Sequence, residues 1–186
     1  MLTVVPARHS FSVNSLLLME QAGVFASDQR IELLAGEVIN MSPIHAPHAT
    51  CVRNLLRVFQ QHLPASDYII DVRNPVQLLD DSLPQPDVAV GPYRAELLAL
   101  GHWQAADVRL IVEVADSTYR YDRYDKYAAY AKASIPEYWI INLKNKRWEV
   151  FAEPNERGYA SEQIYQDRFD TSFGFEIQVD QLLSFL

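Results

Sequence analysis

Two apolar runs joined by a helix-length spacer constrain this chain more than any other feature. Val108-Arg109-Leu110-Ile111-Val112-Glu113-Val114 and Tyr138-Trp139-Ile140-Ile141-Asn142 do not alternate between apolar and polar residues. A strand written that way is covered on both faces, as central strands are. The spacing predicts a helix over 121–132, capped by Asp122 and ended by Ile135-Pro136. Strand, helix and strand then form a right-handed crossover with the two strands parallel.

The other elements follow from shorter signals. A short helix is expected over 14–21, capped by Ser12 or Ser15. Residues 30–41 read as a hairpin turning at Ala35-Gly36, where Gly36 supplies a positive φ. Val52, Leu55, Leu56, Phe59 and Leu63 recur at helical spacing, which predicts an amphipathic helix over 48–63 stopped by Pro64. Strands are expected at 68–70, 76–79 and 86–90, the last beginning with Pro86, and a small helix at 93–100. Residues 147–151 and 159–165 look like an antiparallel pair. The fold class is therefore α/β (α+β): a central mixed β-sheet flanked by helices, with an N-terminal β-hairpin. With no repeat, low-complexity stretch or Gly/Ser linker, residues 1–186 read as one domain.

Composition removes several function classes. Hydrophobic residues make up 49% and charged residues 22%, which is globular rather than disordered or fibrous. No apolar run approaches the length of a membrane span, and the first residues lack the order of a signal peptide, so no membrane partner is expected. Cys51 is the one cysteine, so no internal disulfide forms; this agrees with a cytoplasmic chain, and Cys51 reads as a buried helix residue. The net charge of −8 argues against a general nucleic-acid coat protein. With six glycines and no Gly-rich phosphate loop, nucleophile elbow or dinucleotide fingerprint, a small-molecule enzyme of another α/β kind ranks last.

The chemistry concentrates in a few polar residues beside apolar ones. Glu113 lies near the end of the most apolar strand, where a carboxylate is costly unless paired, protonated or bound to a cation. Asp87 begins another buried-looking strand. If the strands are neighbours, the two carboxylates converge and make a site for Mg²⁺ or Mn²⁺. The alternatives are a strand end facing water for Glu113 and a turn cap for Asp87. Lys126, on the following helix, is a candidate cation for a developing phosphate charge, or else a solvated lysine paired with Asp122. Residues 119–147 hold seven basic residues, among them Arg120, Arg123 and Lys126, against three acidic ones. That is a patch phosphate could find, or a solvated face. Tyr124, Tyr127 and Tyr130 recur every three residues, as helix packing or as a stacking platform. His45 and His48 lack the further ligands of a zinc site; His48 reads as a helix-start hydrogen-bond donor near the site.

The order Pro86-Asp87, then Glu113-Val114-Ala115, then a helical lysine resembles the PD-(D/E)xK nuclease superfamily, and within it a bacterial restriction endonuclease family. Three stretches carry the likeness: 32–38 with Met41-Ser42-Pro43 and His48; Pro86-Asp87-Val88-Ala89-Val90; and 111–118 with Tyr121-Asp122-Arg123, Lys126, Tyr130 and 135–141. The resemblance implies a restriction-endonuclease-like core and a Mg²⁺- or Mn²⁺-dependent endonuclease acting on DNA. Asp87 and Glu113 would be metal ligands, with a backbone carbonyl from Val114 or Ala115. Lys126 would be the catalytic lysine. Glu32 would be either a further carboxylate of the site or a surface charge. His48, Arg120, Arg123 and Tyr130 are candidate substrate contacts. Many nucleases cut two strands with two sites, so a homodimer is expected, and the apolar segment 182–186 would pack on its own core or on a partner. The superfamily's usual lysine position, two residues after the glutamate, is Ala115 here; the narrower family places its lysine on the next helix, at Lys126. A non-catalytic binding or dimerisation module is the rival reading.

Overall fold

The computed structural model describes residues 8–183. The first residues of the segment weighed as a signal peptide, and Ser184-Phe185-Leu186, lie outside them. Helix α1 (Val13–Gln21) starts where the Ser12 side chain accepts a bond from the Ser15 amide, as expected of a serine cap. Strands β1 (Ile31–Leu34) and β2 (Glu37–Asn40) form the hairpin. Its two-residue turn has φ 50° at Ala35 and 78° at Gly36, the doubly positive conformation that suits the twist of paired strands. Helix α2 (Ala46–His62) takes Pro47 in its first turn, where a missing N–H costs nothing.

Then come β3 (Tyr68–Asp71), β4 (Val76–Gln77), β5 (Val88–Pro92), β6 (Trp103–Gln104) and β7 (Leu110–Ala115). A single 3₁₀ turn, Ala95–Ala99, stands where a small helix was expected. The next helix begins as a π-helical turn, Tyr121–Lys126, and continues as α3 (Tyr127–Lys132). Asp122 is not its cap: its amide already donates to the Thr118 carbonyl, one turn earlier. Strands β8 (Glu137–Asn142), β9 (Arg147–Asn155) and β10 (Gly158–Tyr165) follow. The chain closes with β11 (Arg168–Asp170), β12 (Glu176–Gln178) and α4 (Val179–Leu183), three elements the sequence did not suggest.

The central sheet has the order β10-β9-β8-β7-β5-β3. β7 and β8 are parallel, as the crossover requires, and the other neighbours are antiparallel. Every residue of β7 is buried. Leu110, Val112 and Val114 face α2, α4 and the β11–β12 hairpin, while Ile111 and Ala115 face the helix that follows β7. The period of two therefore also aims Glu113 at that helix. Pro86 lies just before β5, so this interior strand loses no ladder bond. α2 buries Val52, Leu55, Val58 and Phe59 against the sheet, each worth about 1.5–3 kcal/mol when fully removed from water. Cys51 is buried beside them. Leu182 and Leu183 pack on this same core rather than projecting outward. The hairpin and α1 share a smaller cluster of Val13, Leu16, Ile31, Leu33 and Leu83.

Candidate active site

The antiparallel register pairs Val88 with Val112, and one step further sets Asp87 beside Glu113. The Asp87 amide donates to Glu113 Oε2 at 3.4 Å, and the Val114 amide donates to Asp87 Oδ2 at 2.9 Å. The two carboxylates thus converge because β5 starts where β7 ends. Both are almost fully buried.

Lys126 comes from the helix side. Its ammonium, only 1% exposed, donates to Glu113 Oε1 at 2.8 Å and to Glu32 Oε1 at 3.1 Å. It is therefore not the solvated lysine of a charged face. Glu32 is fully buried, because β1 alternates: Ile31 and Leu33 join the hairpin's own core while Glu32 points the other way. Glu32 also accepts from the Gln85 amide at 3.0 Å and from the Tyr121 hydroxyl at 3.3 Å. Glu32 is therefore not a surface charge of the hairpin but a buried carboxylate beside Lys126. His48, in the first turns of α2, holds Asp87 Oδ2 through Nε2 at 2.9 Å. Arg73 Nη2 lies 3.5 Å from His48 Nδ1, and its Nε lies 3.6 Å from Asp87 Oδ1. A guanidinium can only donate, so Nδ1 is the accepting nitrogen and Nε2 carries the hydrogen toward Asp87.

Three expected substrate contacts separate. Tyr130 is corrected: it is fully buried, and its hydroxyl donates to Glu113 Oε1 at 2.8 Å, because it lies on the sheet-facing side of the helix. Arg123 is corrected as well. Its guanidinium binds Glu149 at 3.3 Å and Glu162 at 2.6 Å and lies over the rings of Tyr127 and Phe151. Arg120 is exposed and makes no ion pair among the described residues. The basic patch shrinks accordingly, since Lys126, Arg123 and Arg147 are all spent on internal carboxylates.

Sequence reasoning missed Arg73, which carries no spacing signal, and misplaced Asp122. Asp122 is a buried carboxylate on the π turn that accepts from the Thr118 hydroxyl at 2.7 Å and lines the same cleft as Asp87, Glu113 and Lys126. A chemical signal was there: four acids flank one lysine in motifs already singled out.

The electrostatics reflect that crowding. Desolvation pushes the Glu113 carboxyl up to about 8, against the pull of Lys126. Asp122 rises to about 6, also by burial. Asp87 lies below its ordinary value: burial opposes ionisation, but the His48 contact and the Val114 amide outweigh it. Lys126 stays charged far above neutrality; Glu113 and Glu32 outweigh its desolvation. Four buried carboxyl groups surround one buried ammonium, with Arg73 beside Asp87, and burial holds on Glu113 a proton that a bound cation would release. One oxygen of each ligand candidate is tied to the protein, while Asp87 Oδ1 accepts no hydrogen bond and Glu113 Oε2 accepts only the long one from Asp87. Among the described residues no three His, Cys, Asp or Glu side chains form a metal cage. Two carboxylates with waters and substrate oxygens are the donor set Mg²⁺ takes, so these residues fit such an ion.

No curated protein matches the chain. Among solved structures it is similar to one described as "a putative nuclease belonging to DUF820" from Anabaena variabilis ATCC 29413. Identity is 14%, the match covers 94% of this chain and 98% of that one, and the TM-score is 0.72. At that identity the likeness shows a shared fold, a central mixed sheet flanked by helices. A family model described as "Uma2: Putative restriction endonuclease" matches residues 14–180, nearly the whole chain, and the protein belongs to that family.

Proposed function

We propose that this chain is a metal-dependent endonuclease that hydrolyses phosphodiester bonds of DNA. The observation that carries the reading is the convergence of Asp87 and Glu113, where β5 starts and β7 ends, beside the charged Lys126. Asp87 Oδ1 and Glu113 Oε2 would hold Mg²⁺ or Mn²⁺, with the Val114 carbonyl as a further ligand. When bound, such an ion withdraws charge from the phosphate and acidifies a water. The chain's residues do the rest. His48 and the Val114 amide fix the Asp87 carboxylate, Tyr130 fixes Glu113, and Glu32 holds Lys126 from the opposite side. Because Lys126 keeps its proton, its role is to stabilise charge on the phosphate and orient the water, not to remove a proton. Exposed Arg120 would meet a DNA phosphate, and His48 lies at the cleft wall where substrate enters. A second copy of the chain would supply the cut on the other strand, and a cytoplasmic location agrees with the single cysteine.

Titration of Mn²⁺ and Mg²⁺ into wild type and Asp87→Ala by calorimetry, beside cleavage assays on single- and double-stranded DNA, tests the reading. Wild type should bind and cut, and the variant should do neither while keeping the circular dichroism spectrum of the folded protein. Metal-dependent cleavage retained by Asp87→Ala would overturn the role of Asp87. A second reading, a nuclease-fold module that binds nucleic acid or dimerises without catalysis, draws support from Lys126 being shared between two carboxylates. Absence of metal binding and cleavage in wild type would put it first.

A further inference from the structure

We infer that Glu149 is a positioning residue for the site: it clamps the segment 119–126 to the sheet and so sets where the Lys126 ammonium stands. The catalytic consequence rests on the nuclease reading; the clamp itself does not. Glu149 sits on β9, opposite Ile140 of β8, and is 1% exposed. It is two strands away from Glu113 and touches neither metal-ligand candidate. Its two oxygens divide their work. Oε1 takes Arg147 of its own strand, at 3.1 Å from Nε and 3.0 Å from Nη2. Oε2 is given to the helix start, accepting from the Tyr119 hydroxyl at 3.2 Å and lying 3.3 Å from Arg123 Nε. Arg147 Nη2 also donates to the Tyr119 hydroxyl at 3.2 Å, closing the network.

Packing alone does not account for this arrangement. An apolar side chain at the same place would fill the space without the desolvation cost of a buried carboxylate. What it would lack is direction: two charge-assisted contacts fix both the rotation and the height of the helix start. That matters because residues Tyr121–Lys126 just beyond form a π turn, in which the Tyr127 amide reaches the Asp122 carbonyl five residues back. Relaxing it to an ordinary α turn would rotate Lys126 relative to Tyr119. Tyr138 holds the same turn from beneath, its hydroxyl donating to the Asp122 carbonyl at 3.0 Å.

Hydrogen exchange on the metal-free protein tests the clamp without any substrate. In Glu149→Gln the amides of residues 119–127 should exchange about tenfold faster or more, the scale of a lost charged hydrogen bond. Those of α2 and β8 should keep their rates. Tyr119→Phe, which removes one half-exposed hydroxyl, should speed the same segment by less. Mn²⁺ affinity should stay within about twofold in both variants, because β5 and β7 supply the ligands, whereas kcat on DNA should fall with KM unchanged. Unchanged exchange at 119–127 in both variants, or acceleration spread evenly over the sheet, would overturn the clamp. If wild type cuts no nucleic acid, the nuclease reading fails while the exchange result still decides the clamp.

Discussion

Lys126 is the residue on which the buried charges depend. Its ammonium separates Glu113 from Glu32, and removing it leaves two carboxylates facing each other without water. Lys126→Met should cost about 3–5 kcal/mol of unfolding free energy in a denaturant titration, the usual result of stripping one partner from a buried ion pair. Adding Glu113→Gln should recover part of that loss, which a double-mutant cycle measures. The same crowding gives the metal-free protein a pH dependence. Glu113 has a folded value of about 8 against an ordinary 4.5, and Asp122 about 6 against 3.8. Raised carboxyls bind more protons folded than unfolded, so their contribution is complete below the ordinary values and is lost as pH rises through the folded ones. The unfolding midpoint of metal-free protein should therefore fall between about pH 5 and 8, and Mn²⁺ should flatten that fall.

Elements bring these residues together from distant parts of the chain. The hairpin delivers Glu32, and its aim depends on the turn. Gly36 lies at φ 78°, and a Cβ there would fall 1.9 Å from Ser10 Oγ. Gly36→Ala should destabilise by more than about 1 kcal/mol and loosen the Glu32 contact with Lys126. Ala35 holds φ 50° without the tolerance of Asn for that region. Ala35→Asn should raise the thermal midpoint, by about 0.5–1 kcal/mol of stability, measured by calorimetry. On the helix, Asp122 and Lys126 reach one cleft because residues four apart share a helix face.

At the scale of the whole molecule, a chain of net charge −8 must meet a polyanion through local cations. Arg123 and Arg147 are bound to carboxylates, whereas Arg30 lines the cleft itself and Arg120 is exposed two residues after Thr118 of its wall. Arg120→Ala should weaken DNA binding uniformly across sequences and lower the salt slope by about 1, read from anisotropy at several ionic strengths in Ca²⁺. No helix among the described residues is long and apolar enough to cross a membrane.

The crossover of β7, helix and β8, the hairpin and helix α2 were legible in the sequence because each writes its period into consecutive residues. The β11–β12 hairpin and α4 were not, because three-residue strands and a five-residue helix are too short to show one. Asp87, Glu113 and Lys126 stood out because charge beside apolar residues needs a reason, and that reason is local. Their contacts were not legible, although the family resemblance offered Glu32 and His48 as site candidates. Glu32 reaches Lys126 from 94 residues away, and Glu149 neutralises Arg123 from two strands across the sheet. Whether a tyrosine such as Tyr130 meets solvent or a carboxylate depends on which face of a helix the sheet covers. Sequence determines the periods and places the costly charges; only the packing of strands far apart in the chain decides which charges meet, because that contact is non-local.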